Sequence, residues 1–215
     1  MQTLRYANGF PQRASPAMNR NAPASVPGNG ASPGPLVLCA LIVLAALTRL
    51  LPHPPNFSPV EAIALFGGAY FASRAWALAV PLIAMLLSDF LLGLIRGGVY
   101  LEYFVSAHFL AVYACIALST VLGFGLRGRV GGVRVLGYAL TGSVLFFLAT
   151  NFAVWLTASP LDAHPACNAG LLPCYVAGIP FFQWTLLGTL FYSALLFGGF
   201  TLLRRRLPAL RAQTV

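Results

Sequence analysis

Between residues 35 and 203 the chain is an almost unbroken series of apolar stretches, most of them long enough to cross a bilayer. A helical crossing needs about 20 predominantly apolar residues. The stretches cover roughly 35–51, 59–72, 76–95, 100–126, 133–158 and 176–203. None alternates polar with apolar residues, so they predict helices rather than barrel strands. Only 8% of the 215 residues is charged, against roughly 25% in a soluble domain. A water-soluble globular domain and a disordered chain are both excluded. The expected fold class is all-α: a polytopic membrane protein built as a six-transmembrane-helix bundle over residues 35–203.

The flanks differ from this core. Residues 1–34 are rich in Pro, Asn, Ser, Ala and Gly and carry no hydrophobic period, which predicts a disordered N-terminal tail. The first apolar run ends in Thr48-Arg49-Leu50-Leu51-Pro52 rather than in a small-x-small cleavage site, so a retained helix is expected. Residues 204–215 form a basic C-terminal tail. Pro81 and Pro180 fall inside stretches three and six, where kinks are expected.

The second stretch is short for a crossing, and charge decides how it is read. All 13 basic residues are arginine, against 4 acidic residues, for a net charge of +9. With six crossings, Arg5, Arg13, Arg20, Arg74, Arg127, Arg129, Arg134, Arg204, Arg205, Arg206 and Arg211 share one side, leaving only Arg49 and Arg96 opposite. Five crossings would put the basic N-tail and the Arg204–Arg206 cluster on opposite sides. Basic residues collect in cytoplasmic segments, so six crossings with both termini cytoplasmic fit better. The membrane expected is the bacterial inner one. The basic balance thus reports topology; no basic run is interleaved with aromatics, and no nucleic-acid partner is expected.

That topology gives each polar residue a depth. Glu61 opens helix 2; Asp89 lies late in helix 3; Glu102 and His108 lie early in helix 4. Asn151 and Trp155 lie in the outer half of helix 5, and Gln183 and Trp184 in the outer half of helix 6. Arg49, His53 and Asn56 cap helix 1 and its following loop, and Asp162 and His164 fall in the loop before helix 6. All four carboxylates and all three histidines therefore map to the outer half or the outer loops. A carboxylate within the bilayer costs about 2.5–3.5 kcal/mol and usually faces a bundle interior or a site. Polar groups from five helices at one depth point to a cup open outward and closed below. The expected lining is Glu61, Asp89, His108, Asn151, Trp155, Gln183 and Trp184, with Asn56 and Phe57 in a lid. Structural alternatives stand beside each: interfacial Glu61, Asp89 paired with Arg49 or Arg96, an interhelical bond from Asn151, and an aromatic belt including Tyr100.

Cys167 and Cys174 bracket six residues of an outer loop, a spacing that suits a disulfide; free thiols and a metal pair are alternatives. Ala64, Gly68 and Ala72 form a small-residue ridge on helix 2. Such a ridge serves either bundle packing or docking of a partner membrane protein. No nucleophile elbow, His-Glu-x-x-His or phosphate-binding loop is present, and no cofactor, metal or catalytic step is expected.

The run Leu-Pro-His-Pro-Pro-Asn-Phe-Ser-Pro-Val-Glu-Ala-Ile-Ala-Leu-Phe-Gly-Gly-Ala-Tyr-Phe over 51–71, followed by Pro-Leu-Ile-Ala-Met-Leu-Leu-Ser-Asp over 81–89, resembles an uncharacterised family of bacterial transporter-like membrane proteins. That family is similar in layout to the substrate-binding S components of energy-coupling factor vitamin transporters. The resemblance implies six helices, cytoplasmic termini and a vitamin-like small molecule bound in an outward pocket beneath the helix 1–2 and 5–6 loops. It also implies a transmembrane scaffold with ATPase subunits as partner. S components typically dock through an Ala-x-x-x-Ala surface on helix 1; here Ala40, Ala45 and Ala46 lack that spacing. Solitary cobalamin transporters are the nearest substrate analogy. A structural or assembly subunit, and a membrane enzyme with an outer-face site, are the rival classes.

Overall fold

The computed structural model describes residues 33–97, Phe104, 106–158, 165–211 and Thr214. The tail expected over 1–34 lies outside the described residues as far as 32, while Pro33 and Gly34 open a helix instead; Tyr100, Glu102, Asp162 and His164 also lie outside the described residues. Among the described residues every regular element is helical. The elements are α1 (Pro33–Leu47), α2 (Val60–Tyr70), α3 (Arg74–Arg96), α4 (Ala107–Gly123), α5 (Gly132–Leu156), α6 (Pro165–Ala169), α7 (Leu171–Ser193) and α8 (Gly199–Arg206). A 3₁₀ turn, Thr48–Leu50, extends α1, and another, Phe124–Leu126, extends α4.

Local chemistry sets several ends. Pro33 opens α1, where a missing N–H costs nothing. Ser73 caps α3 by accepting from the Trp76 N–H at 3.4 Å. Ser106 caps α4 by accepting from the Phe109 N–H at 3.1 Å. A single π-helical turn, Ala194–Gly198, joins α7 to α8 in one helical run from Leu171 to Arg206.

Among the described residues five segments are long and apolar enough to cross a membrane: Pro33–Leu50, Arg74–Arg96, Ala107–Leu126, Gly132–Leu156 and Leu171–Arg206. The chain is built as a multi-pass membrane protein. The exception is α2. Its 11 residues rise only about 16 Å, but every one of them is buried. It packs on α1, α3, α4, α5 and α7 and forms the axis of the bundle. A helix ringed by other helices can be apolar on all faces and needs no lipid-facing stripe.

This position corrects the docking expectation for the ridge. Ala64 is wholly buried, and Gly68 lies against α4; only Ala72, past the end of α2, is exposed. A Cβ on Gly68 would run into the Thr120 carbonyl and lie 2.9 Å from Gly123 Cα. The absent side chains let two backbones touch inside the bundle, leaving no ridge for an outside partner.

With the short α2 counted, α1, α2, α3, α4, α5 and α7 run in alternating directions, and their ends gather into two layers. In one layer the end of α1, the start of α2, the end of α3 and the start of α4 meet: Arg49 bonds Asp89, and Tyr113 bonds the same carboxylate. In the other layer lie the end of α2, the start of α3, the end of α4 and the short α8. There Tyr70 stacks edge-on against Phe200 at 4.7 Å, and the Arg74 guanidinium sits 5.7 Å from the Phe124 ring. Arg127 closes this second layer. Its Nε donates to the Gly68 carbonyl at 2.9 Å and its Nη2 to the Phe71 carbonyl at 2.8 Å. A cation on the last carbonyls of α2 satisfies groups that the helix itself leaves unpaired. The layers also divide the arginines: Arg49 and Arg96 mark the first, while Arg74, Arg127, Arg129, Arg134 and Arg204–Arg206 mark the second.

The last expected stretch begins earlier than its apolar pattern suggests. The short α6 and the first turn of α7 occupy ground expected to be loop. Gly170, at φ 140°, breaks the two apart. Pro173 lies in the first turn of α7, a position proline tolerates. Cys167 in α6 and Cys174 in α7 are joined as a disulfide.

Candidate functional site

The first layer holds a cavity of about 380 Å³ whose walls include Arg49, Val60, Glu61, Leu92, Arg96, His108, Thr150, Thr185 and Thr189. Every principal helix contributes. Pockets for small organic ligands run from about 300 to 1,000 Å³, apolar with a few convergent polar groups. His53, Asn56 and Arg96 are exposed and form the mouth, whereas Glu61 is 2% and Thr189 1% exposed and form the floor.

Glu61 is positioned by its place in the chain. Pro59 and Val60 begin α2 at the bundle axis, so its second residue points into the interior. Its Oε2 accepts two hydroxyl donors, Ser143 Oγ at 2.7 Å and Thr189 Oγ1 at 2.8 Å. Those donors come from α5 and α7 and tie three helices to one oxygen. Among the described residues no arginine or histidine forms an ion pair with Glu61, and no donor reaches Oε1. Beneath it the axis is solid: Leu65, Phe66, Tyr70 and Phe200 are almost completely buried. Phe66 packs edge-on against Phe197 at 5.3 Å and Phe200 at 5.6 Å.

A smaller chamber of about 170 Å³ adjoins the cavity and shares Asn56, His108, Phe146, Thr150 and Thr185 with it. Phe147, Asn151, Gly178, Phe181 and Phe182 complete its wall. The Phe147 and Phe182 rings lie 4.9 Å apart. Asn151 donates to the Phe147 carbonyl at 2.9 Å within its own helix, which leaves its Oδ1 turned toward Gly178.

The loop over 51–59 covers the mouth. Phe57 donates its N–H to the Pro54 carbonyl at 3.1 Å, closing a tight turn in which Asn56 takes φ 65°. Asparagine is among the few residues that tolerate this region. Gly188 of α7 lets the loop settle: a Cβ there would stand 2.8 Å from the Ser58 nitrogen.

Of the residues expected to line a site, Asn56, Glu61, His108 and Asn151 are brought together. Asp89 is adjacent but spoken for. Arg49 Nη1 reaches its Oδ1 at 2.6 Å and Ser88 Oγ at 2.6 Å, while Tyr113 donates to Oδ2 at 2.8 Å. Its carboxylate holds Arg49 in the cavity wall instead of lining the cavity. Phe57 anchors the lid, 5.8 Å from the Phe191 ring and 5.9 Å from Tyr192. Trp155 lies one turn beyond Asn151 and packs on Phe152 at 5.6 Å. Gln183 is exposed, and neither it nor Trp184 belongs to the walls of either chamber. On a helix of 100° per residue, Gln183 sits about 200° from Thr185, so it shares the level of the cavity but not its face.

The residues that depth alone passes over are hydroxyls. Ser143 and Thr150 lie seven apart on α5, and Thr185 and Thr189 four apart on α7. Each pair shares one helix face. Polar residues at helical spacing within apolar segments were the available signal.

A larger hollow of about 800 Å³ lies in the second layer between α5 and α7, lined by Val135, Leu136, Ala139, Leu190, Phe197 and Leu202 among others. It is an open apolar groove whose polar groups, Ser193, Thr201 and Arg205, are spread along its length rather than converging. The convergent chemistry is at Glu61.

Residues 30–210 match the family of unknown function DUF6580, and the chain belongs to that family. No curated protein and no solved structure matches it.

Proposed function

We propose that this DUF6580 member is the substrate-binding component of a membrane transport system, taking up a vitamin-like small molecule from an outward-facing pocket. One observation carries the reading: a polar cavity fed by every principal helix, floored by buried Glu61 and sealed beneath by packed aromatic side chains. A polar channel would continue past that floor. The resemblance to S components supports the same arrangement, with a lid formed by the loop after α1. The size of the cavity favours a ligand of one or two rings over a corrin, because about 380 Å³ is near the small end of ligand pockets. A scaffold with ATPase subunits remains the partner the resemblance implies.

The topology within this reading is six crossings in a bacterial inner membrane, with both termini cytoplasmic. Alternating helix directions and the arginine-rich second layer support it. The short α2 is a crossing completed by the 51–59 loop and shielded from lipid by its neighbours. In spheroplasts, a membrane-impermeant thiol reagent is expected to label Cys167 and Cys174 only after a reductant is added. Labelling without reductant would remove the disulfide, and no labelling after reduction would put that loop on the cytoplasmic side.

Purified protein in detergent is expected to gain thermal stability with one class of vitamin. A ligand at one hundred times its Kd adds about 2.7 kcal/mol by mass action. If no compound in a full set of water-soluble vitamins shifts the melting temperature, the transport reading fails and a structural subunit takes its place.

A further inference from the structure

The cavity floor specifies more than a size. Glu61 is 2% exposed, and among the described residues its polar partners are two hydroxyls on the same oxygen. Both donate, so Oε2 is already satisfied while Oε1 has no donor among the described residues. A buried carboxylate without a counter-ion is costly, and proteins retain one where something else compensates it. The other buried acid on this level shows the contrast. Asp89 has its cation in Arg49, at 2.6 Å, and a phenol besides. Arg49 spends its charge on Asp89 and does not pair with Glu61.

The rest of the wall narrows the shape. Adjoining the cavity that Glu61 floors is the chamber walled by Phe146, Phe147, Phe181 and Phe182. Phenyl faces receive a flat ring and favour a positive charge close to it. At the mouth the positive charge of Arg96 disfavours a second cation.

We infer that the ligand is a small cationic ring compound whose positively charged nitrogen pairs with Glu61 Oε1 while its ring lies in the phenylalanine chamber. This rests on the transport reading above and names the substrate class for that same cavity.

The test uses the full-length protein in detergent, with thiamine and pyridoxamine as cationic ring probes, riboflavin as a neutral one, and biotin and pantothenate as anionic ones. At least one cationic probe should raise the melting temperature, and the neutral and anionic probes should not. Glu61→Gln keeps the shape and removes the charge; it should weaken the cationic probe at least about tenfold, the usual worth of a charged hydrogen bond. Binding of only neutral or anionic probes would overturn the inference and leave the transport reading standing. Cationic binding unchanged in Glu61→Gln would overturn it as well. A set in which nothing binds would remove both. Should Glu61→Gln fail to yield a monodisperse protein, the preference among probes in the unaltered protein decides alone.

Discussion

Gly68→Leu should prevent the bundle from assembling, and even Gly68→Ala should cost more than about 3 kcal/mol. The first added carbon would run into the Thr120 carbonyl and lie 2.9 Å from Gly123 Cα, both backbone atoms that no rotamer change can move. Overpacking against side chains costs about 1–3 kcal/mol, and backbone yields less. The consequence spreads because α2 is the axis: separating it from α4 also loosens its contacts with α3, α5 and α7. Gly137→Ala is the matched control. It lies within α5, and a Cβ there meets nothing within 4 Å. Alanine in a helix interior gains about 0.5–1 kcal/mol over glycine, so this change should be neutral or stabilising. Ala72→Leu should also be tolerated, since Ala72 is exposed. Melting temperature by fluorescence-detected size exclusion separates the three. A folded Gly68→Leu protein with normal stability would mean that α2 and α4 do not touch as described.

The bundle was legible because bilayer-length apolar runs leave few alternatives. Arg49 and Arg96 against eleven arginines were the sequence's reason to read the short second stretch as a crossing. What the pattern could not give is which face of α2 is covered. An apolar residue reads the same whether its neighbour is lipid or another helix. Ala64 and Gly68 therefore looked equally suited to an outside partner and to α4, and only the ring of helices around α2 decides. The start of α7 was hidden for a different reason. Pro173 and Gly170 are loop signals in sequence, yet a proline in a first turn and a glycine at φ 140° are how a helix begins after a tight break.

The sequence named the level of the candidate cavity along the helices but not the helix faces that line it. Glu61, His108, Asn151 and Asn56 stand where alternate helix directions bring them. Gln183 and Trp184 share that depth and face elsewhere, because one or two residues along a helix rotate a side chain by about 100° or 200°. Asp89 raised a different ambiguity. An intramembrane carboxylate marks either a ligand contact or an internal ion pair, and sequence offers both Arg49 and Arg96 as partners. The choice depends on which arginine the end of α1 or α3 carries inward. The 3₁₀ turn after α1 carries Arg49 there, 14% exposed against Asp89 at 1%.

That pair should dominate the stability of the first layer. Asp89→Ala leaves the Arg49 guanidinium in the cavity wall without its counter-ion, and Tyr113 without its acceptor. Removing one member of a buried pair costs about 3–5 kcal/mol, most of it the penalty of the stranded charge. Removing both strands no charge, so Arg49→Ala combined with Asp89→Ala should be less damaging than Asp89→Ala alone. The double-mutant cycle should give a favourable coupling of more than about 1 kcal/mol. A surface pair would instead give about 0–1 kcal/mol and nearly additive losses. Ligand affinity should fall in Asp89→Ala although Asp89 lines no part of the cavity, because an unpaired Arg49 is free to swing toward Glu61 and occupy the position of the ligand's cation. Arg49→Ala/Asp89→Ala removes that competitor and should recover most of the affinity. Recovery of stability without recovery of binding would make the pair purely a clamp between α1 and α3; additive losses in both would mean that Arg49 and Asp89 do not act as a pair at all.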